Sequence, residues 1–187
     1  SWKDNCLMPI PLGVLAVAGA GAAGGGGSFD LLETTLISSN TASVTFSNLN
    51  NYSAYKHLQI RQAIGATSGA NYNLRFNNDT GSNYAFHALY GTGSAVTSLA
   101  STSQTFIRGR MSASSGSNIF SASTIDILDF NDTSKTTTTR HFDNGEGLIW
   151  LGSGLWNNTA AVTSITITQS ATGFESGSRI SLYGVKG

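Results

Sequence analysis

From Phe29 onward the chain repeats one pattern: a short run in which apolar and polar side chains alternate, then a break rich in Gly, Ser, Asn or Asp. Alternation with period two puts one set of side chains on each face of an extended strand. The breaks carry the residues that tight turns require, as in Ser68-Gly-Ala-Asn71. Residues 29–37, 42–46, 57–64, 72–76, 84–90, 104–108, 118–130, 136–142, 148–152, 162–168 and 179–185 fit this pattern. No stretch longer than about ten residues has helical apolar spacing with capping residues at its ends. The pattern predicts an all-β chain, an antiparallel β-sandwich or jelly roll over residues 29–187. The alternation places Leu36, Val44, Phe46, Leu58, Ile60, Leu74, Phe76, Phe86, Ile125, Ile127, Ile165, Ile167 and Leu182 in the core.

The segment from Arg179 to Val185 is the sharpest of these strands. Ile180, Leu182 and Gly184 lie on one face, and Ser181, Tyr183 and Val185 on the other. An open edge here would invite aggregation. The strand is therefore expected inside a sheet or against a neighbouring subunit.

With 187 residues the chain can bury a core without covalent staples. Cys6 is its one cysteine, so no internal disulfide forms and no structural zinc site is expected. Charged residues make up 11%, less than half of the usual share of about 25%. Ser, Thr, Asn and Gly take their place, which gives a hydroxyl- and amide-rich surface common in extracellular β proteins and virion parts. Ten acids balance ten bases and no basic run stands out, so nucleic acid is not an expected partner.

Residues 1–28 differ in kind. Residues 7–27 are Gly, Ala and aliphatic residues with Pro9 and Pro11. A signal peptide would use Lys3, the apolar run from Leu12 to Val17 and a cleavage site at Ala16-Val-Ala18, but Asp4 and the prolines count against it. The apolar part is shorter than the roughly 20 residues of a membrane span. Gly19-Ala-Gly-Ala-Ala-Gly24 matches a dinucleotide fingerprint in form only, since it runs into further glycines that would weaken the helix it must open. The favoured reading is an extended docking arm, because such a segment has little side chain to bury and needs an outside surface to order it. Its contact residues are Pro9, Ile10, Pro11, Leu12, Val14, Leu15 and Val17.

The chemistry-bearing residues give weak patterns. Asn77 to Asn83 spaces oxygens like a calcium loop but lacks the closing bidentate acid, and a hairpin turn explains it better. Asp129 to Asp132 reads the same way. His57, His87 and His141 each sit within a strand, near no nucleophile motif. Asp126, Asp143 and Glu146 could serve as paired carboxylates only if two of them faced one pocket. Trp150 and Trp156 flank Leu151-Gly-Ser-Gly-Leu155. Trp150 is placed in the core. Trp156, Asn157 and Asn158 are placed in an exposed polar loop, where they would contact a subunit interface or, alternatively, a glycan. Neither a catalytic residue nor a cofactor or metal site is expected.

Several segments, in order, resemble a family of small tailed-phage virion proteins: Thr41 to Phe46, Tyr55 to Ile60, Leu74 to Asn77 with Gly81 to Tyr84, and Ile125 to Asp129. Gly154 to Trp156, Ile165 to Ile167 and Gly177 to Gly184 continue the likeness, which spans residues 29–187. The resemblance implies a β-rich structural part of the particle and no enzyme. It implies a homotrimer that contacts itself and other virion proteins, on the capsid as a decoration or cement protein or else on the tail. Phe29 to Leu32 and the Arg179 to Val185 strand are expected near the subunit contacts. A tail-tip module that binds a host-surface glycan is the alternative, and the virion is the expected location.

Overall fold

The computed structural model describes residues 27–66, 68, 71–111, 119–145, 147–169 and 171–187. Among them are twelve strands and one short 3-10 turn at Leu49–Tyr52. In chain order the first six strands are β1 (Phe29–Leu36), β2 (Ser43–Phe46), β3 (His57–Ile64), β4 (Asn71–Phe76), β5 (Tyr84–Gly91) and β6 (Val96–Gln104). The next six are β7 (Ile107–Arg110), β8 (Ser121–Leu128), β9 (Thr137–Gly145), β10 (Leu148–Trp156), β11 (Ile165–Gln169) and β12 (Arg179–Val185).

They form two antiparallel sheets. The large sheet has the order β1-β12-β3-β8-β9-β10-β5-β6, and the small one β2-β11-β4-β7. The pairs β1·β12, β2·β11, β3·β8 and β4·β7 are those of one long antiparallel ribbon wrapped around itself. That is a jelly roll. Two hairpins are inserted into it: β5-β6 between β4 and β7, and β9-β10 between β8 and β11. Both join the large sheet beyond β8, so it extends past the jelly-roll core on one side.

The core lies between the sheets, where Phe46, Leu58, Ile60, Leu74, Phe76, Ile125, Ile127, Ile165, Ile167 and Leu182 are fully buried. Each comes from the inward phase of its strand, so alternation alone selects them. β7 packs against β9, β10 and β5. Gly154 permits that close approach, and Gly109 lets the Tyr72 ring cross β7 within the small sheet. A Cβ on Gly154 would lie 2.6 Å from Ile107 Cγ2, and one on Gly109 would lie 1.9 Å from Tyr72 Cζ.

Three expectations need correction. Leu36 is 67% exposed, not core. A bulge between Leu31 and Glu33 inserts Leu32 and reverses the phase of the rest of β1, so that Ile37 is buried instead. β6 carries little apolar alternation and forms because β5 supplies a pairing partner. The single strand expected at residues 104–108 is the end of β6 and the start of β7. β12 is an interior strand, flanked by β1 and β3.

Candidate functional site

Trp156 is the last residue of β10, not part of an exposed loop. It is 1% exposed, packs on Phe76 and Tyr84 at centroid distances of 5.6 and 6.4 Å, and donates its indole N–H to Asp79 Oδ2 at 2.7 Å. Trp156 is thus unavailable to a partner. The inward phase of β10, set by Trp150, continues unbroken to it. Asn157 stays exposed and Asn158 half-buried. Asp79 also accepts from Gly81 N (2.8 Å) and Asn83 Nδ2 (2.9 Å), which hold its carboxyl below the usual range together with Trp156, the largest cause. These bonds make the Asn77 to Asn83 segment a closed turn. Among the described residues no group of three or more His, Cys, Asp or Glu side chains is placed to hold a metal ion.

The outward face of the large sheet carries the most unusual surface. Leu151 on β10 lies directly between Phe142 on β9 and Leu89 on β5. Ile149, two positions along, faces the same way, and Val96 lies one strand beyond it across Gly91. Phe142, Leu151, Ile149 and Leu89 are each about half exposed, at 51, 50, 49 and 49%. These residues form one contiguous apolar patch across β9, β10, β5 and β6. A second strip lies on β1 and β12, where Phe29 opposes Val185 and Leu31 opposes Tyr183. The Arg61 guanidinium covers the rings of Phe29 and Tyr183 at 4.8 and 4.7 Å.

The edges differ. β1 carries Asp30, Glu33 and its bulge, β2 is four residues long, and β7 carries Arg108 and Arg110. β6 is a nine-residue edge strand with no charge and no proline. A bulge between Ser101 and Gln104 interrupts its last residues, and from Val96 to Ser101 it is the least guarded of the edges.

Between the sheets the polarity of β9 is inverted: Thr137, Thr139, His141 and Asp143 point inward and are buried, while Phe142 points out. Asp143 accepts from the Tyr72 hydroxyl at 2.8 Å, from Arg110 N at 2.9 Å, and from the Ser123 hydroxyl. With the tyrosine proton committed to Asp143, Tyr72 Oη can accept from His141 Nδ1, 3.4 Å away, and Thr139 then donates to Nε2 at 2.8 Å. Burial pushes Asp143 up to about 6, against the three hydrogen bonds, and pulls His141 down to about 4. Tyr72 is raised well above the ordinary tyrosine range, chiefly by burial. The network therefore joins β4, β7, β8 and β9 out of contact with solvent. Asp126, by contrast, pairs with Arg140 on the surface at 3.0 Å, so it does not share a pocket with Asp143. Thr139, His141 and Asp143 at spacings of two on one strand were the sequence signal for this network. His57 joins no such network either; its Nδ1 accepts from Asp129 N at 2.9 Å.

Pro9, Ile10, Pro11, Leu12, Val14, Leu15 and Val17 lie outside the described residues. Among those described, no helix is long and apolar enough to cross a membrane.

Compared with family models and with curated proteins, the sequence matches none. Among solved structures it is similar to an exo-inulinase from Aspergillus awamori, at 12% identity and a TM-score of 0.33. The match covers 84% of this chain and 28% of that one. The expectation that the chain is not an enzyme is corrected by this match: the neighbour is an enzyme, so a non-catalytic role is not carried forward, while a likeness this slight assigns no inulinase chemistry here.

Proposed function

We propose that the chain is a structural subunit of a phage particle that associates with copies of itself through the outward face and open edge of its extended large sheet. The observation that carries this reading is the apolar patch of Leu89, Phe142, Ile149 and Leu151 beside the uncharged edge of β6. A patch this size on a charge-poor surface costs free energy in water and is relieved by covering it. Flat strand edges without charges accept a neighbour's strand.

A closed ring of copies satisfies every patch at once and stops growth at a fixed size. Three copies is the number that the phage-protein resemblance implies, with a capsid surface as the first placement and the tail as the second. Residues 1–28 are assigned to attachment to the rest of the particle. The glycan reading rested on Trp156, Asn157 and Asn158, and the burial of the Trp156 ring takes away the aromatic face it needed, so the subunit reading is preferred.

Light scattering of the full chain at micromolar concentration tests the association, with Leu151→Lys as the probe. The wild type is expected to have three times the mass of one chain. Leu151→Lys is expected to be a monomer with an unchanged near-ultraviolet circular dichroism spectrum. A monomeric wild type, or a variant that assembles normally, overturns the proposed surface. Deleting residues 1–27 is expected to leave a folded domain that no longer enters particles, and normal entry refutes the arm.

A further inference from the structure

Where the large sheet extends past the jelly-roll core, a cavity of about 160 Å³ opens beside the edge strand of the small sheet. Asn71, Tyr90, Leu99, Arg108, Arg110 and Trp150 line it. Tyr90 and Trp150 stack at 5.6 Å with planes 22° apart and form an aromatic wall. Arg110 Nη1 donates to Asn71 Oδ1 at 3.0 Å, which fixes that guanidinium in place. The Arg108 guanidinium sits 5.4 Å from the centre of the Phe86 ring.

Three donors on the residues that line this cavity lack acceptors. Arg108 Nε, Arg110 Nε and Trp150 Nε1 are all buried and make no hydrogen bond. Trp150 is 2% exposed, so its indole N–H faces no bulk solvent directly. Among the described residues no acid lines the cavity and neither arginine is in a salt bridge. The nearby Asp143 carboxylate takes the Arg110 backbone N–H and two hydroxyls rather than either guanidinium. Burial and the neighbouring Arg108 charge both lower Arg110 from its ordinary range, burial being the larger cause. The two half-buried cations have one neutral acceptor between them, Asn71, and leaving both Nε–H groups and the indole N–H unbonded is costly. These donors are also what an incoming anion requires. Guanidinium groups bind planar carboxylates and tetrahedral phosphates through charge-assisted bonds.

We infer that this cavity binds an oxyanion, a carboxylate or phosphate group, between Arg108, Arg110 and the Trp150 indole N–H. Its volume suits one such group with a few attached atoms. The Tyr90–Trp150 wall provides a flat apolar surface for the body that carries it. The site is separate from the outward patch: it opens on the inward side of the large sheet, and Trp150 and Leu151 point to opposite faces of β10.

The test is a titration of the full, 15N-labelled chain with inorganic phosphate, acetate and glucuronate in turn, at ionic strength held constant with chloride. The readout is the Trp150 indole N–H resonance, assigned by its loss in Trp150→Phe. At least one of the three is expected to shift it saturably. Arg110→Gln is expected to weaken that binding by about tenfold or more, the loss of one charge-assisted contact. Phosphate alone acting would identify a phosphate site, and acetate or glucuronate acting would identify a carboxylate site. Should Arg110→Gln fail to fold, Arg108→Gln replaces it, with the same expected loss. No saturable shift with any probe would mean a cavity filled by water only, and equal affinity in wild type and a folded arginine variant would place the anion elsewhere. Either result overturns the inference.

Discussion

Asp143 and His141 share one sealed network, and their contributions to stability respond to acid in opposite senses. Asp143 has a folded value of about 6 against 3.8 for an ordinary carboxyl. Its value is raised, so its contribution is fully present below pH 3.8 and is lost as pH rises through 6. The shift of about 2.2 units corresponds to about 3 kcal/mol. His141 has a folded value of about 4 against 6.5. Its value is lowered, so its contribution is present above pH 6.5 and is lost as pH falls through 4. That shift likewise corresponds to about 3 kcal/mol. Acidification from pH 7 to 4 therefore gains from Asp143 an amount of the same order as it loses from His141, and the two largely cancel. Each substitution unmasks the other. Relative to wild type, Asp143→Asn should lose a further 2 kcal/mol or so across this window, and His141→Asn should gain about 3 kcal/mol. Both changes also lower stability at every pH by breaking hydrogen bonds, so the informative quantity is the slope and not the absolute value. Urea unfolding at half-unit steps from pH 4 to 7 measures it. Asp30, Asp79, Asp129 and Asp132, all lowered, lose their contributions at the acid end, and subtracting the wild-type curve removes them. If both variants run parallel to wild type, neither group titrates out of reach of solvent and the sealed network is wrong.

Gly109→Ala should be among the most damaging small substitutions, because the new methyl would overlap the Tyr72 ring whose hydroxyl serves Asp143. Overpacking and a lost bond to a carboxylate together cost about 3 to 5 kcal/mol, measurable by urea unfolding; a loss under about 1 kcal/mol would mean the ring moves freely. Neighbouring positions in β1 should respond oppositely to intuition: Leu36→Ala should change stability by about 0.5 kcal/mol or less, and Ile37→Ala should cost about 2 to 4 kcal/mol. The reverse order in thermal unfolding would contradict the bulge at Leu32. Trp156→Phe keeps a ring between Phe76 and Tyr84 but removes the donor to Asp79, which should cost about 1.5 to 3 kcal/mol and move the Asp79 carboxyl up toward its ordinary value, seen by NMR titration.

The strands with strong alternation could be read directly. β3 and β12 begin and end where the pattern of His57 to Ile64 and Arg179 to Val185 does. The misses share a cause: tertiary pairing decided what local pattern left undetermined. Val96 to Gln104 is nearly all Ser, Thr and Ala, so no face is marked as inward, and it becomes a strand because β5 lies alongside. In β1 a single inserted residue reverses the face of Leu36, and only the register against β12 reveals it. Trp156 was misplaced because the polar Asn157-Asn158 that follows it looks like loop, whereas the decisive partners, Tyr84 and Asp79, are more than seventy residues away. The oxyanion cavity draws on β4, β5, β6, β7 and β10 at once, and no local motif could have announced it.

The order of strands in the large sheet also bears on how the chain is made. β12 fills the slot between β1 and β3, and the two strands that flank it are translated first. About 150 residues separate Phe29 from Arg179, so at ribosomal rates of about 5 to 20 residues per second β1 waits roughly 8 to 30 s for its partner. Throughout that interval β1, with Leu31 and Leu36 beside Phe29, has no neighbour in its own sheet, and β3 has one side open. The charges of Asp30 and Glu33 on β1 and the kink at its bulge then act before the fold exists, keeping nascent chains from pairing with one another while the closing strand is still being synthesised.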